Sequence, residues 1–435
     1  MKTKSNAQPK VNVITLGCSK NTVDSEVLMG QLKASKFDVH HESDQDADIV
    51  IVNTCGFIDN AKEESINTIL QYAEAKKAGH LEKLYVTGCL SHRYKDDLEA
   101  EIKEVDAWFG TLDMPHLLRT VGADYRHELI GERMTTTPKH YAYLKISEGC
   151  NRPCSFCAIP LMRGGHVSKP LELIVKEAEN LVKSGVKEIM LIAQDSTYYG
   201  LDLYGERKLA ELLARVSDVE GLEWIRLHYA YPSQFPMDAL KVMAERSNIC
   251  KYLDIPIQHI SDSMLKSMRR GITQRRTLEV LNAIRDEVPG IALRTTFLVG
   301  HPGETEEDVK ALLDSVDQIR FERLGVFTYS HEDNTHAHTL IDDVPAAEKQ
   351  RRADAVMAKQ MEVSWAFNQS LVGTVQKVLF DRLEGDEFVG RTQFDSPEVD
   401  NEVRVPATGN YVRMGDFADV RITEASHYDL FGTLI

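Results

Sequence analysis

Short apolar runs alternate with amphipathic helical patterns in the N-terminal quarter of the chain. The runs at residues 11–16, 47–52 and 83–87 predict strands, and a stretch with helical periodicity follows each one. Strand–helix alternation of this kind indicates a parallel sheet whose two faces are covered by helices. The pattern therefore predicts an N-terminal parallel α/β domain, which we place at residues 1–133.

The alternation resumes after a loop at residues 131–140 and continues through most of the remaining chain. Strands are predicted at residues 141–146, 188–192, 224–228, 252–256, 292–299 and 324–328. Six successive strand–helix units predict a central (β/α)6-type partial TIM barrel at residues 134–367.

The period changes from helical to two after Gly373. Residues 375–380, 387–389, 402–405 and 418–423 alternate apolar and polar positions, and turn residues separate them. This pattern is typical of a small antiparallel β-barrel, which we place at residues 368–435. The predicted fold class is thus α/β with a C-terminal β-barrel.

Composition narrows the possible functions. The chain has 435 residues, 43% of them hydrophobic and 27% charged, as in ordinary globular proteins. No apolar run approaches the roughly 18 residues that cross a bilayer. The formal net charge of -16 excludes a general nucleic-acid coat and suits a basic partner. Seven sparse cysteines, and residues 1–10 without a hydrophobic leader segment, favour a reducing cytoplasm.

Cys150, Cys154 and Cys157 form a C-x3-C-x2-C motif directly after the first predicted barrel strand. Barrels place their sites at this end of the strands. A zinc site needs four ligands, and no fourth Cys or His follows at the usual spacing. Three closely spaced thiolates instead suit a [4Fe–4S] cluster with one iron open to another ligand. The alternative is three unrelated buried cysteines.

Cys18, Cys55 and Cys89 each follow a predicted strand of the N-terminal domain. The carboxyl ends of parallel strands share one edge of a sheet, so these thiols, 37 and 34 residues apart, are expected to meet there. They could hold a second three-thiolate cluster, or they could be three small core residues. Cys250 stands alone and is interpreted as a core residue.

The motif Cys150–Cys154–Cys157 with Phe156 before its last cysteine resembles the radical S-adenosylmethionine signature. Together with the N-terminal cysteines and a TRAM-like barrel, it makes the whole chain similar to the methylthiotransferases. The segments at residues 17–26, 148–160 and 395–400 resemble the ribosomal-protein branch, the RimO-type enzymes. The tRNA branch usually has Gly-Cys-Gln-Met-Asn where this chain has Gly-Cys-Ser-Lys-Asn.

This resemblance implies an enzyme that methylthiolates the β-carbon of an aspartate in small-subunit ribosomal protein twelve. It implies two [4Fe–4S] clusters and two molecules of S-adenosylmethionine, one as methyl donor and one as radical source. A low-potential electron donor and a sulfur donor are implied as partners. The six cysteines of the two groups would be the metal ligands, and Phe156 and Gln194 would lie near S-adenosylmethionine.

Two other functions remain open at this point. The first is methylthiolation of tRNA adenosine with the same clusters. The second is a binding module, an iron–sulfur or zinc protein that senses redox state or docks on the ribosome without turnover. Residues 369–435 carry six basic and twelve acidic side chains, which favours a basic protein over RNA unless this is only an acidic solvated face.

Overall fold

The computed structural model describes residues 8–129 and 131–435. The chain divides into two compact units, and each is described by itself. The first unit holds the chain up to Thr137 with residues 148–151 and 158–166, and the second holds the other segments. The expectation about the start of the chain depends largely on residues 1–7, which lie outside the described residues.

The first unit is built on a five-stranded parallel sheet in the order β2-β1-β3-β4-β5. Its strands are β1 (Lys10–Thr15), β2 (Asp38–His41), β3 (Ile49–Thr54), β4 (Lys83–Gly88) and β5 (Ala107–Trp108). Its helices are α1 (Ser19–Ala34), α2 (Asp59–Lys77), α3 (Cys89–Glu101), α4 (Met114–Val121) and α5 (Ile159–Arg163), with a 3-10 turn at His127–Leu129.

Alternate residues of β3 face opposite sides of this sheet. Ile49 and Ile51 are buried in the hydrophobic cluster that contains residues of α1 and α4, whereas Val50 and Val52 are buried in the cluster that contains residues of α2. Complete burial of one such side chain contributes roughly 1.5–3 kcal/mol. The two cores hold the carboxyl ends of the strands in register, and the first cysteine group follows those ends.

The second unit contains a six-stranded parallel sheet in the order β13-β12-β11-β10-β9-β6. Its strands, with the short strands between them, are β6 (Tyr141–Lys145), β7 (Ser147–Glu148), β8 (Val167–Ser168), β9 (Glu188–Ile192), β10 (Trp224–Leu227), β11 (Ile249–Asp254), β12 (Ala292–Val299) and β13 (Arg323–Thr328). Each of the six predicted barrel strands corresponds to one strand of this sheet, so the predicted partial barrel is confirmed.

Helices cover this sheet along the chain. They are α6 (Leu171–Lys183), α7 (Leu201–Tyr204), α8 (Leu209–Ser217), α9 (Met237–Glu245), α10 (Asp262–Ser267), α11 (Gln274–Glu287), α12 (Glu306–Ile319) and α13 (Ala346–Leu371), with 3-10 turns at Ser196–Tyr198 and Ala337–Thr339. Within residues 8–129 and 131–435, no helix has the length and apolar character needed to span a bilayer.

The C-terminal strands close into a barrel in the order β14-β15-β16-β18-β17. They are β14 (Val375–Glu384), β15 (Glu387–Arg391), β16 (Glu402–Pro406), β17 (Phe417–Ala425) and β18 (Asp429–Leu434). The predicted small barrel is confirmed, with one detail that the pattern did not show. The strand β18 lies between β16 and β17 and pairs in parallel with β16, while the other pairings are antiparallel.

This closed barrel packs against the amino-terminal ends of the six parallel strands, inside the second unit. Glu188, the first residue of β9, is fully buried between Arg226 and Arg391, at 2.9 and 2.8 Å. Burial alone would raise the pKa of Glu188, but the two guanidinium groups outweigh burial and hold this pKa below its ordinary value. The sequence-based borders at residues 133/134 and 367/368 stay predictions.

The segment after β15 carries the residues 395–400 that resemble the ribosomal-protein branch. Asp395 is 1% exposed and accepts hydrogen bonds from Arg323 at 2.5 and 2.8 Å. Asp400 accepts a hydrogen bond from Arg294 at 3.2 Å. These carboxylates are therefore neutralised by cations of the parallel-strand domain and do not face solvent as part of an acidic docking surface.

Candidate active site and its two cysteine groups

The second half of the C-x3-C-x2-C motif forms a tight turn in the second unit. The Cys157 amide donates a hydrogen bond to the Cys154 carbonyl oxygen at 3.2 Å, so these two cysteines lie within one turn. Cys150 belongs to the first unit, where its amide donates to the Gly164 carbonyl oxygen at 3.1 Å. All three thiols are partly exposed, which leaves them accessible to an incoming iron–sulfur cluster.

Ser155 anchors this turn to three other parts of the unit. Its amide donates to Met268 O at 3.0 Å, its carbonyl oxygen accepts from the Ala337 amide at 2.7 Å, and its hydroxyl lies 3.1 Å from His301 Nε2. Burial lowers the pKa of His301, so its ring is neutral near pH 7 and can either donate to or accept from the serine. Hydrogen bonds from both the backbone and the side chain of Ser155 thus hold this turn in place.

Phe156 packs in an apolar cluster at the carboxyl end of β12 and β13. Its neighbours there include Met264, Met268, Leu298 and Tyr329. Its place beside an adenine remains a prediction from the motif.

Gln194 lies two residues after the end of β9 and carries a buried side-chain oxygen, Oε1, that accepts no hydrogen bond from any described residue. An unpaired buried acceptor costs about 1–3 kcal/mol, so such an atom indicates a missing donor. S-adenosylmethionine has an ammonium group that could supply this donor. The adjacent carboxylate of Asp195 is already used, since it accepts from Arg152 Nε at 2.6 Å.

Two residues at the same end of the sheet have a left-handed backbone, although neither is glycine. Tyr229 follows β10 with φ of 60°, and Gln258 follows β11 with φ of 71°. Such conformations cost about 1–3 kcal/mol and cluster at functional sites. Together with Gln194, they indicate that the candidate site of the second unit lies at the carboxyl ends of its parallel strands.

The N-terminal cysteines lie at three neighbouring strand ends of the first unit. Cys55 follows β3, Cys89 follows β4, and Cys18 comes three residues after β1. A Cβ placed on Gly17, whose φ is +95°, would lie 2.8 Å from Cys55 Sγ, so only glycine allows this approach of the first loop to Cys55. The structure therefore brings these three cysteine loops to one edge of the sheet.

Burial dominates the acidity of two of these thiols when no metal is bound. It raises the pKa of Cys55, and it raises the pKa of Cys89 to about 12. Cys18 is exposed. A buried thiol becomes a thiolate when iron binds, because metal coordination replaces the proton. The donor set of three thiols thus fits a cluster, and metal-free protein keeps Cys55 and Cys89 protonated near pH 7.

Asn21, which sequence reasoning missed, links the three loops. Its amide nitrogen donates to the carbonyl oxygens of Leu16 and Thr54, at 2.7 and 3.0 Å, which are residues just before Cys18 and Cys55. Its Oδ1 lies 3.9 Å from Cys89 Sγ. The side chain is fully buried, so each of these contacts is shielded from water.

A buried cation lies against Asn21. Arg163, the last residue of α5, is 2% exposed and donates from Nη2 to Asn21 Oδ1. Its Nη1 pairs with Asp24 and Glu148 at 3.0 and 2.9 Å. The guanidinium therefore adds fixed positive charge close to three thiols that become anionic when they bind iron.

No three Cys, His, Asp or Glu side chains in residues 8–129 and 131–435 converge as ligands of a single metal ion. A [4Fe–4S] cluster takes one thiolate per iron, so its ligands stand further apart than those of one ion. The spread of Cys18, Cys55 and Cys89 over three strand ends is compatible with that requirement.

Three family models match the chain in order. The model described as uncharacterized protein family UPF0004 matches residues 10–110, that of the Radical SAM superfamily matches 144–316, and that of the TRAM domain matches 372–435. Curated relatives named ribosomal protein uS12 methylthiotransferase RimO match almost end to end. The protein of Flavobacterium johnsoniae is 60% identical, with 99% of each chain covered.

The chain belongs to the RimO-type methylthiotransferases. The RimO of Cytophaga hutchinsonii is 58% identical over 100% of both chains, and that of Bacteroides fragilis is 52% identical over 98% of this chain and 99% of its own. The resemblance predicted from the cysteine motifs is thereby confirmed. RimO-type enzymes are radical S-adenosylmethionine enzymes that use two [4Fe–4S] clusters.

Solved structures agree on the fold. The radical S-adenosylmethionine methyltransferase TsrM from Kitasatospora setae has a TM-score of 0.53 at 14% identity, covering 85% of this chain and 81% of its own. The cobalamin-dependent S-adenosylmethionine radical enzyme OxsB has a TM-score of 0.52 at 15% identity, covering 81% and 56%. At these identities the likeness concerns the fold alone.

Proposed function

We propose that this RimO-type enzyme methylthiolates ribosomal protein uS12 at the β-carbon of an aspartate. The observation that carries this function is near-full-length identity of 52–60% to proteins named for that activity. The cysteine geometry supports it, because the N-terminal loops meet at one sheet edge and Cys154 and Cys157 share one turn. Methylthiolation of tRNA adenosine is not favoured, since the curated relatives reported above are named for uS12.

Cys150, Cys154 and Cys157 would hold the radical cluster, and its open iron would bind S-adenosylmethionine. When bound, these groups would supply a 5′-deoxyadenosyl radical that can take hydrogen from an unactivated carbon; the one-electron cleavage of the sulfonium bond that forms it also releases methionine. The protein's own part is to hold and orient. Gln194 Oε1 would accept from the ammonium group, and Phe156 would lie beside the adenine.

Cys18, Cys55 and Cys89 would hold the second cluster, whose open iron would take the exogenous sulfur. Asn21 keeps their loops together, and Arg163 balances part of the negative charge of the thiolates. A sulfur donor and a low-potential electron donor are required as partners. Because uS12 is a basic protein of the ribosome, the enzyme would act in the cytoplasm, on a partner of opposite charge.

Mass spectrometry of uS12 tests the proposal. Purified enzyme, reconstituted anaerobically, should hold about eight irons per chain, four for each cluster. With S-adenosylmethionine, sulfide and a reductant it should add a methylthio group to uS12 and none to tRNA. Modification of tRNA with unmodified uS12 would reverse the choice of substrate, and one bound zinc without formation of 5′-deoxyadenosine would indicate a binding module.

Cysteine variants separate the two clusters. Replacing Cys18, Cys55 and Cys89 by Ala should abolish methylthiolation and leave reductive formation of 5′-deoxyadenosine measurable. Cys250→Ala is the matched control, because Cys250 is buried like Cys55 and Cys89 but lies in the apolar cluster of Trp224 and Tyr252. Full methylthiolation by the triple variant would contradict the assigned division of work.

A further inference from the structure

A buried arginine contacts one thiol of the proposed radical cluster. Arg270 is 4% exposed, and its Nη1 donates a hydrogen bond to Cys154 Sγ at 3.2 Å. Its Nη2 donates to Pro256 O at 2.6 Å, and its backbone oxygen accepts from the Tyr231 hydroxyl at 2.9 Å. The guanidinium is therefore fixed on both sides, with one N–H aimed at sulfur.

The Tyr231 ring lies between two guanidinium groups. The Arg152 and Arg270 carbons Cζ are 4.0 and 4.1 Å from its centroid. The two arginines differ in their counter-charge. Arg152 pairs with the Asp195 carboxylate at 2.6 Å, whereas Arg270 forms no salt bridge with a carboxylate among residues 8–129 and 131–435, and Asp195 acts on it only at longer range. Its charge is matched by contact with the Tyr231 ring face and with the Cys154 sulfur.

A buried charge without an opposite charge is costly. The anion that fits here is the thiolate of Cys154, which exists when that sulfur is bound to iron. The Arg270 N–H group would then point at a cluster ligand, with its charge at the same sulfur. Hydrogen bonds to ligand sulfurs and nearby positive charge stabilise the reduced, more negative state of a cluster more than the oxidised state.

We propose that Arg270 is a positioning residue that raises the reduction potential of the radical cluster through its hydrogen bond to Cys154. This inference rests on the proposed function, which assigns that cluster to Cys150, Cys154 and Cys157. The step concerned is the addition of one electron from the low-potential donor to the cluster, which changes [4Fe–4S]2+ to [4Fe–4S]+. No protein bond forms or breaks in it.

The test is a potentiometric titration of the full chain followed by electron paramagnetic resonance. Cys18, Cys55 and Cys89 are replaced by Ala so that the radical cluster alone is observed. In this background Arg270→Gln removes the charge and Arg270→Lys keeps it. Arg269→Gln is the matched control, since Arg269 is the exposed neighbour in sequence.

Arg270→Gln should keep four irons and lower the midpoint potential. We expect at least a tenfold lower ratio of reduced to oxidised cluster at a fixed potential, which corresponds to about 59 mV for one electron. Arg270→Lys should fall between Gln and the parent, and Arg269→Gln should leave the potential unchanged. A residue that only packs the loop would alter iron content or thermal unfolding without moving the potential.

The remaining outcomes also decide the proposal. An unchanged potential in Arg270→Gln with four irons overturns it. A shift that is seen only when S-adenosylmethionine is present also overturns the proposal, because Arg270 would then act on that molecule and not on the cluster. If Arg270→Gln loses its cluster, retention of cluster and potential in Arg270→Lys supports a cationic donor, and loss from both variants overturns the proposal. Absence of a cluster in the unmutated chain would instead contradict the proposed function.

Discussion

Asp395→Asn tests whether the segment after β15 fastens the closed barrel to the parallel-strand domain. Asp395 is 1% exposed, and its Oδ1 accepts two hydrogen bonds from Arg323, at 2.5 and 2.8 Å. Its Oδ2 accepts from the Thr392 hydroxyl at 2.6 Å. Asparagine has almost the same shape, so the substitution removes the charge while it leaves the volume of the segment unchanged.

The expected loss of stability is large because the partner cation stays behind. Arg323 is 4% exposed, and breaking a buried ion pair by removing one partner typically costs about 3–5 kcal/mol. The unfolding entropy is about 2.1 cal/mol/K per residue, so for the roughly 285 residues of the second unit a change of 1 kcal/mol shifts Tm by about 1.7 °C. We therefore expect a decrease in Tm of roughly 5 °C or more for the transition of the second unit.

Scanning calorimetry of the anaerobic protein measures this shift. Asp386→Asn is the matched control, since Asp386 is an exposed acidic residue of the same barrel, and it should change Tm by less than about 1 °C. If Asp395→Asn has the same Tm as Asp386→Asn but modifies uS12 more slowly, then the segment contacts the substrate and does not fasten the barrel. That result would refute the interpretation of these residues as an internal clamp.

Three further outcomes follow from the site. Gln194→Ala should weaken binding of S-adenosylmethionine about tenfold in equilibrium dialysis, because a hydrogen bond to a charged group contributes about 1.5–3 kcal/mol. Asn21→Ala should reduce bound iron from about eight toward about four per chain, while Asn60→Ala, at an exposed position, should keep all of it. Burial lowers the pKa of His301, so the folded protein favours the neutral ring, and the free energy of unfolding should fall as the pH drops below about 6.5. His301→Asn should reduce this pH dependence when unfolding curves are measured over a series of pH values.

Strands that are long and apolar were predictable from the sequence, whereas short or polar ones were not. All six strands of the central sheet have apolar runs, because both faces of a parallel sheet are covered. The edge strand Asp38–His41 is polar, and Ala107–Trp108 has only two residues, so neither shows a pattern. In the last strand, Asp429–Leu434, apolar and polar residues alternate only weakly, and its position in the barrel depends on parallel pairing with β16.

Cysteine positions were predictable because spacing and strand ends are properties of the local sequence. The side chains that surround them were not, since their contacts join distant parts of the chain. Arg163 and Asn21 are 142 residues apart, and Arg270 and Cys154 are 116 residues apart. An arginine in an unremarkable helical or loop context gives no local signal that it will be buried beside a thiol.

Charge counting over the C-terminal barrel favoured a protein partner, in agreement with the proposed function, but for an incomplete reason. Asp395 and Asp400 belong to internal ion pairs with Arg323 and Arg294, which lie outside the barrel's own sequence. Only exposed acids can attract a basic partner through water. Asp386, Asp419 and Glu424 are exposed, so any electrostatic attraction of the proposed substrate uS12 to this barrel must come from such residues, and the buried carboxylates of Asp395 and Asp400 would affect it only by holding the barrel in place.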